Sequence, residues 1–134
     1  MITAATLCLA MNIYHEARGE HLAGQIATAN VVMNRVHSPK YPDDICSVVK
    51  QGRYWEGNPI RHKCAFSWFC DGRSDKTTDH NAWTESVHLA YRVENGFILD
   101  ITDGATHYHA THVMPYWADH YIQLAQIGNH LFYQ

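Results

Sequence analysis

The sequence predicts a mainly α fold of the α+β kind, with a small β-hairpin near the C-terminus. Three observations predict it. Apolar residues recur at helical spacing through most of the first 36 residues. A further helical stripe follows Asp79. Two short apolar runs, residues 122–127 and 130–133, flank the turn pair Gly128-Asn129.

The elements follow in order. Residues 3–18 form a first helix, in which Leu7, Met11 and Tyr14 share a face among helix-favouring alanines. Gly19 stops it. A second helix begins almost at once, with Leu22, Ile26, Ala29, Met33 and Val36 along one stripe and Ala23, Ala27 and Val32 widening it. Pro39 and Pro42 end it. Asp43 or Asp44 caps a short helix carrying Ile45, Val48 and Val49. Residues 51–76 have the composition of a long loop, and long loops in compact domains are often functional. Asp79 caps the next helix, with Trp83, Val87, Ala90 and Tyr91 facing inward and Gly96 closing it. Residues 104–116 are rich in His, Thr and Tyr without a period, so they read as irregular or extended chain. A helix over residues 117–126 competes with the C-terminal hairpin. With no linker and no repeat, one domain is expected over residues 1–134.

Composition narrows the function. At 46% hydrophobic the chain is globular, and 134 residues suffice for a real core. Charge is lean at 17%, and its place is taken by His, Tyr, Asn and Thr, a mixture suited to a polar, uncharged polymer. The net charge of -3 and the lack of a basic stripe argue against nucleic acid and against an electrostatic membrane binder. No apolar run is long enough to span a bilayer. Residues 1–11 are apolar but lack a basic leader and a cleavage site, so they read as core helix rather than as a secretion signal. A monomer is expected.

Cys8 sits inside an apolar helical pattern and reads as a small buried residue. Cys46, Cys64 and Cys70 cluster around the loop-rich middle, where one disulfide of open pairing is expected. A Cys/His zinc site is the alternative, but no pair has the CxxC spacing.

Three segments can carry chemistry. Glu16 falls on the last turn of the first helix, at the negative end of its dipole and among apolar neighbours. Both raise a carboxyl pKa, which suits a general acid. The plainer reading is a surface residue paired with Arg18 or His15. Glu20, beyond the Gly19 break, either precedes the second helix or serves as an assisting carboxylate. The aromatic loop from Cys64 to Gly72 offers Phe66, Ser67 and Trp68 for stacking on sugar rings and bonding hydroxyls, or as a plug of core. The segment Thr106-His107-Tyr108-His109-Ala110-Thr111-His112, followed by Tyr116 and Trp117, either lines a groove or ligates a metal. Alternation puts His107 and His109 on one face of an extended strand, where His112, Asp119 or His120 could join them. No recognised ligand set is complete, so no metal or other cofactor is called for.

Taken in order, Tyr14 to Glu20 (YHEARGE), Gly24 to Arg35 (GQIATANVVMNR), Tyr41-Pro42, Phe66-Ser67, Asp71-Gly72, Gly104 to Ala110 and Pro115 to Trp117 resemble the SleB/CwlJ-type cell wall hydrolases. The blocks run across nearly the whole chain. The resemblance implies a lysozyme-like fold related to lytic transglycosylases, with the acid/base Glu ending the first core helix, here Glu16. It implies that Phe66, Ser67 and Tyr108 line a cleft that takes peptidoglycan glycan strands. It also implies cleavage between N-acetylmuramic acid and N-acetylglucosamine, by transglycosylation or as a muramidase. The Cys-flanked loop and the THYHATH segment depart from spore-type sequences and point to Gram-negative or phage members. The expected setting is a phage endolysin, made in the cytoplasm without its own signal peptide and acting on the wall in the periplasm. A metal-dependent amidase or peptidase using His107, His109 and His112 is the competing enzyme class. A glycan-binding module without turnover is the non-enzymatic one.

Overall fold

The computed structural model describes residues 1–134. Helix α1 spans Ala4–Ala17. Thr3 caps it reciprocally with Thr6, and the Thr6 hydroxyl goes on to donate to Glu94 Oε1 at 2.6 Å. That bond ties the start of α1 to the end of α4 (His80–Glu94), which Asp79 caps through the Ala82 N–H and which Gly96 leaves at φ 78°. Helix α2 runs over Leu22–Val36, and α3 over Ile45–Val49, capped by Asp44. One core lies among the four helices, built on Leu9, Ile13, Ala29, Val32, Val48 and Leu89.

The phase of α1 differs from the expected one, whereas the expected α2 stripe of Ile26, Ala29, Met33 and Val36 does face the helical core. In α1 the buried line is Thr6, Leu9, Ala10, Ile13 and Ala17, while Leu7 is 42% exposed. Nearly every position of this helix is apolar or small, so two stripes satisfy the helical period and packing decides between them. Helix α2 is buried on two sides. Ala29 and Val32 face the helical core, whereas Ala27 and Val31 meet Ala105 and Phe132 in a second cluster. Leu22 stands exposed.

The second cluster is roofed by a three-stranded antiparallel sheet of order β3-β5-β4. Its strands are β3 (His107–Ala110), β4 (Gln123–Ile127) and β5 (His130–Tyr133). The β4–β5 hairpin turns at Gly128, φ 58°, as the sequence suggests, and the competing helix is reduced to a 3-10 turn at Tyr116–His120. Asn30 and Asn34 of α2 hold the approach to β3: Asn30 Oδ1 accepts from the Ile101 N–H, and Asn34 Nδ2 donates to Asp100 and to the Ala105 carbonyl.

Residues 51–76 are less of a loop than their composition suggests. They hold a hairpin, β1 (Gly52–Trp55) with β2 (Asn58–Cys64), and a 3-10 turn at Ser67–Cys70. The hairpin turns on Glu56 and Gly57, both at positive φ as a tight two-residue hairpin turn requires. Both strands are exposed along almost their whole length, so no in-out alternation marks them in the sequence. The one disulfide expected within Cys46, Cys64 and Cys70 is present, and a second enlists Cys8. Cys8 bonds Cys46, joining α1 to α3, and Cys64 bonds Cys70, closing the base of the hairpin on the 3-10 turn. Cys8 faces α3 rather than the core, which its place in an apolar run does not disclose.

Candidate active site

Glu16 reaches its position because its neighbours are all committed elsewhere. Tyr14 is buried, and its hydroxyl accepts from the Asp79 N–H. His15 stacks on Trp68 at 4.6 Å and bonds the Asp75 carbonyl. Arg18 lies over the Tyr14 ring, 4.4 Å from its centre. Neither His15 nor Arg18 pairs with Glu16, so the plain surface-pair reading does not hold. The Glu16 side chain instead lines a cleft of about 740 Å³, open to solvent, between the helices, the β1–β2 hairpin and the sheet.

Glu16 is the one carboxyl among the cleft-lining residues. Burial pushes its pKa up to about 7, against a partial pull downward from the Tyr108 hydroxyl and the Arg35 guanidinium. The Tyr108 hydroxyl is buried and closes no aligned hydrogen bond. Burial, with the Glu16 charge beside it, drives its pKa well above that of a free phenol, so it stays a donor. That donor faces the Glu16 carboxyl.

Arg35, at the end of α2, is the buried cation of the site, at 9% exposure. Its Nε donates to the Thr106 carbonyl at 2.7 Å, and its guanidinium packs over the rings of Tyr41 and Phe66. Phe66 is buried beneath the cleft and Ser67 is exposed at its edge. On the opposite side β3 presents His107, Tyr108 and His109, with Trp117 beside them. His107 stacks on Tyr121 at 4.1 Å, and burial, aided by Arg35, lowers its pKa to about 4. The wall is therefore neutral, aromatic and hydrogen-bonding.

Strand alternation does place His107 and His109 together, as expected, but their nitrogens are engaged. His107 meets the Thr106 and Tyr41 hydroxyls, and His109 meets the Tyr133 hydroxyl at 2.7 Å and the Ala110 carbonyl at 2.8 Å. His112 is exposed outside the cleft, and no three His, Cys, Asp or Glu side chains gather in metal-holding geometry.

Three expected site residues lie elsewhere. Trp68 donates its indole N–H to Asn12 Oδ1 at 2.8 Å and packs on His15, away from the cleft. Tyr116 is 89% exposed and does not line the cleft. Glu20 turns to the β4–β5 hairpin, with Oε1 3.0 Å from His130 Nδ1 and accepting from the Asn129 N–H. The contact to His130 is a charge approach, not an aligned hydrogen bond. Burial lowers the His130 pKa more than Glu20 raises it. The lining residues that escaped the sequence reading as site residues include Arg35, Tyr41, Gln51, Arg53, Lys63 and His130. For Arg35 the signal is a lone cation at the end of an otherwise apolar stripe.

A protonatable carboxyl at the floor of an open, aromatic-walled cleft is the arrangement a general acid needs. The particular family follows from comparison: the chain belongs to the cell wall hydrolase family, whose sequence profile matches residues 19–133. That match begins just past Glu16. The chain is 32% identical over 125 residues to a spore cortex-lytic enzyme of Halalkalibacterium halodurans, covering 92% of this chain and 33% of that protein. It is 46% identical over 41 residues, 31% of this chain and 13% of the relative, to the spore cortex-lytic enzyme of Bacillus subtilis. The chain thus spans about a third of the first relative's length. In three dimensions it is similar to the catalytic domain of the Bacillus cereus SleB protein, with TM-score 0.72, 27% identity, and 100% and 93% of the two chains covered. It is also similar to the catalytic domain of the germination-specific lytic transglycosylase SleB from Bacillus anthracis, with TM-score 0.75, 26% identity, and 98% and 96% covered.

Proposed function

We propose that this domain cleaves peptidoglycan glycan strands between N-acetylmuramic acid and N-acetylglucosamine as a lytic transglycosylase, with Glu16 as both acid and base. The observation that carries the reading is that Glu16 stands alone: no second carboxyl lines the cleft, and Glu20 is spent on the β4–β5 hairpin. A two-carboxyl hydrolysis needs a partner to activate water. A single carboxyl suffices when the substrate supplies its own nucleophile.

The steps balance without water. With a pKa of about 7, Glu16 is roughly nine-tenths protonated at pH 6. It gives its proton to the glycosidic oxygen as the bond to muramic C1 breaks, leaving an oxocarbenium-like C1. The new carboxylate is favoured by the nearby charge of Arg35 and faces Tyr108. It then takes the proton of the muramic 6-hydroxyl as O6 bonds to C1, which closes a 1,6-anhydro ring and restores the acid. Phe66, Ser67, His107, His109 and Trp117 line the groove that holds the sugars.

Two disulfides suit work in an oxidising compartment, where the wall lies. Host-cell lysis as a phage-type endolysin is the setting we attach to the reaction. It is supported by the THYHATH segment and the Cys-flanked loop, and release of cell contents on co-expression with a holin tests it. The catalytic assignment is tested by Glu16→Gln on purified sacculi. Soluble glycan release is expected to fall by about 10²- to 10⁴-fold while strand binding persists. Release at the wild-type rate would falsify it.

A further inference from the structure

The cleft is far more basic than the chain. The whole sequence carries 10 Lys and Arg against 13 Asp and Glu, yet the cleft lining holds Arg35, Arg53 and Lys63 against Glu16 alone. Arg35 is buried and committed to the Thr106 carbonyl and to the rings of Tyr41 and Phe66. Arg53 and Lys63 are not committed to anything. Both are exposed on the β1–β2 hairpin, and neither side chain has a hydrogen-bond or ion-pair partner.

The backbone aims both at the cleft. Strand β1 pairs with β2 at Gly52 with Cys64 and at Tyr54 with Pro59. Between those pairs a single residue, Arg53, faces residues 60–63, and His62 takes φ 65°, a left-handed conformation unusual for a side chain of its size. Such bulges bend a strand and redirect its side chains. The irregular ladder is also fixed in place. The Cys64–Cys70 disulfide closes its base, Arg61 Nε donates to the Asp71 carbonyl at 3.2 Å, and the Ala65 N–H donates to the Gln51 carbonyl at 2.9 Å. The result is a braced wall bearing two unpaired cations beside a groove whose other wall is neutral.

We infer that this hairpin is a carboxylate-reading wall, on which Arg53 and Lys63 hold the carboxylates of peptide stems attached to the strand being cut. The inference rests on the reading of the domain as a peptidoglycan glycan-cleaving enzyme. Sugar hydroxyls alone give a cation little, whereas a carboxylate gives it steering and register. The exposed position of both cations suits a group projecting out of the groove, as a stem peptide does, rather than one lying on the sugar ring. Peptide-bearing strands are thus the preferred substrate over bare glycan.

The test compares intact sacculi with the same sacculi stripped of their stems by an amidase, which leaves the lactyl carboxylate on the sugar. The protein is the full chain and its Arg53→Gln/Lys63→Gln variant, with thermal unfolding as the folding control. The ratio of kcat/KM on intact over stripped strands is expected to fall roughly five- to tenfold in the variant, chiefly through KM, and the wild-type ratio to shrink with added salt. An unchanged ratio overturns the inference, whether activity is lost equally on both substrates, as it would be if the lactyl carboxylate were read, or on neither. Failure of the underlying reading looks different: the wild-type protein would then release no glycan fragments from either substrate.

Discussion

Glu16→Gln is expected to stabilise the fold while it stops the reaction, and the size of the effect follows from burial. In the folded chain the Glu16 pKa lies at about 7, raised from 4.5 by desolvation. The folded state therefore binds its proton more tightly than the unfolded state does. Stability from this group is complete below pH 4.5 and is lost as pH rises through 7. Each pKa unit is worth about 1.4 kcal/mol, so the charged form weakens the fold by about 3 kcal/mol at alkaline pH. Gln keeps the shape of the protonated acid and never ionises. The gap between variant and wild type should open from near zero at pH 4.5 to about 3 kcal/mol at pH 8.5, or roughly 10 °C in Tm for a chain of this size. Thermal unfolding followed by circular dichroism at both pH values measures it. The histidines titrate in both proteins and cancel in the difference. A gap that does not change with pH would refute the claim that Glu16 is a desolvated acid.

Three further outcomes are expected. Because burial holds the His107 pKa at about 4 and lowers that of His130, protonation of these two rings favours the unfolded chain, so their contribution to stability should be lost as pH drops from about 6.5 towards 4, opposing the gain from Glu16. His107→Phe should therefore gain stability relative to the wild type towards pH 4 in a pH series of urea titrations. Arg35→Gln removes the nearby positive charge that pulls the Glu16 pKa down, so the alkaline limb of kcat/KM should shift upward in pH as the rate falls; Arg35→Lys should restore the limb more than the rate. Opening the Cys8–Cys46 bond, with its sequence separation of 38, should cost about 4 kcal/mol, against about 2 kcal/mol for Cys64–Cys70 with its separation of 6. Paired Cys→Ser variants compared by denaturant unfolding check the order.

Local signals in the sequence were read well wherever one residue determined the outcome. Asp79, and Asp44 of the pair Asp43 and Asp44, cap helices because a short polar side chain accepts the orphaned N–H groups, and that need is visible in a single residue type. Gly128-Asn129 turns the terminal hairpin for an equally local reason. Long-range choices were not visible. The buried face of α1 is ambiguous because that helix is apolar or small nearly all round, and the second buried side of α2, Ala27 and Val31 against Ala105 and Phe132, is set by the distant sheet. The β1–β2 hairpin stayed hidden because neither of its faces is buried, so burial imposed no alternation. The site divides the same way. Glu16, Phe66, Ser67, His107, Tyr108, His109 and Trp117 meet in one cleft, drawn there by helix ending and strand alternation. Trp68 and Tyr116 have the right chemistry for sugar but the wrong direction, and direction is set by contacts such as Asn12 with Trp68 that no spacing rule carries.

The central claim is that one carboxyl carries both proton transfers, and the products record it. Mass spectrometry of sacculi digested by the pure chain reads the ends of the released strands. The account predicts 1,6-anhydro muramic ends, one water lighter than hydrolysis products, with no oxygen-18 taken up from labelled water. Reducing muramic ends carrying solvent oxygen would contradict it, because water would then be the nucleophile and a second group would have to activate it.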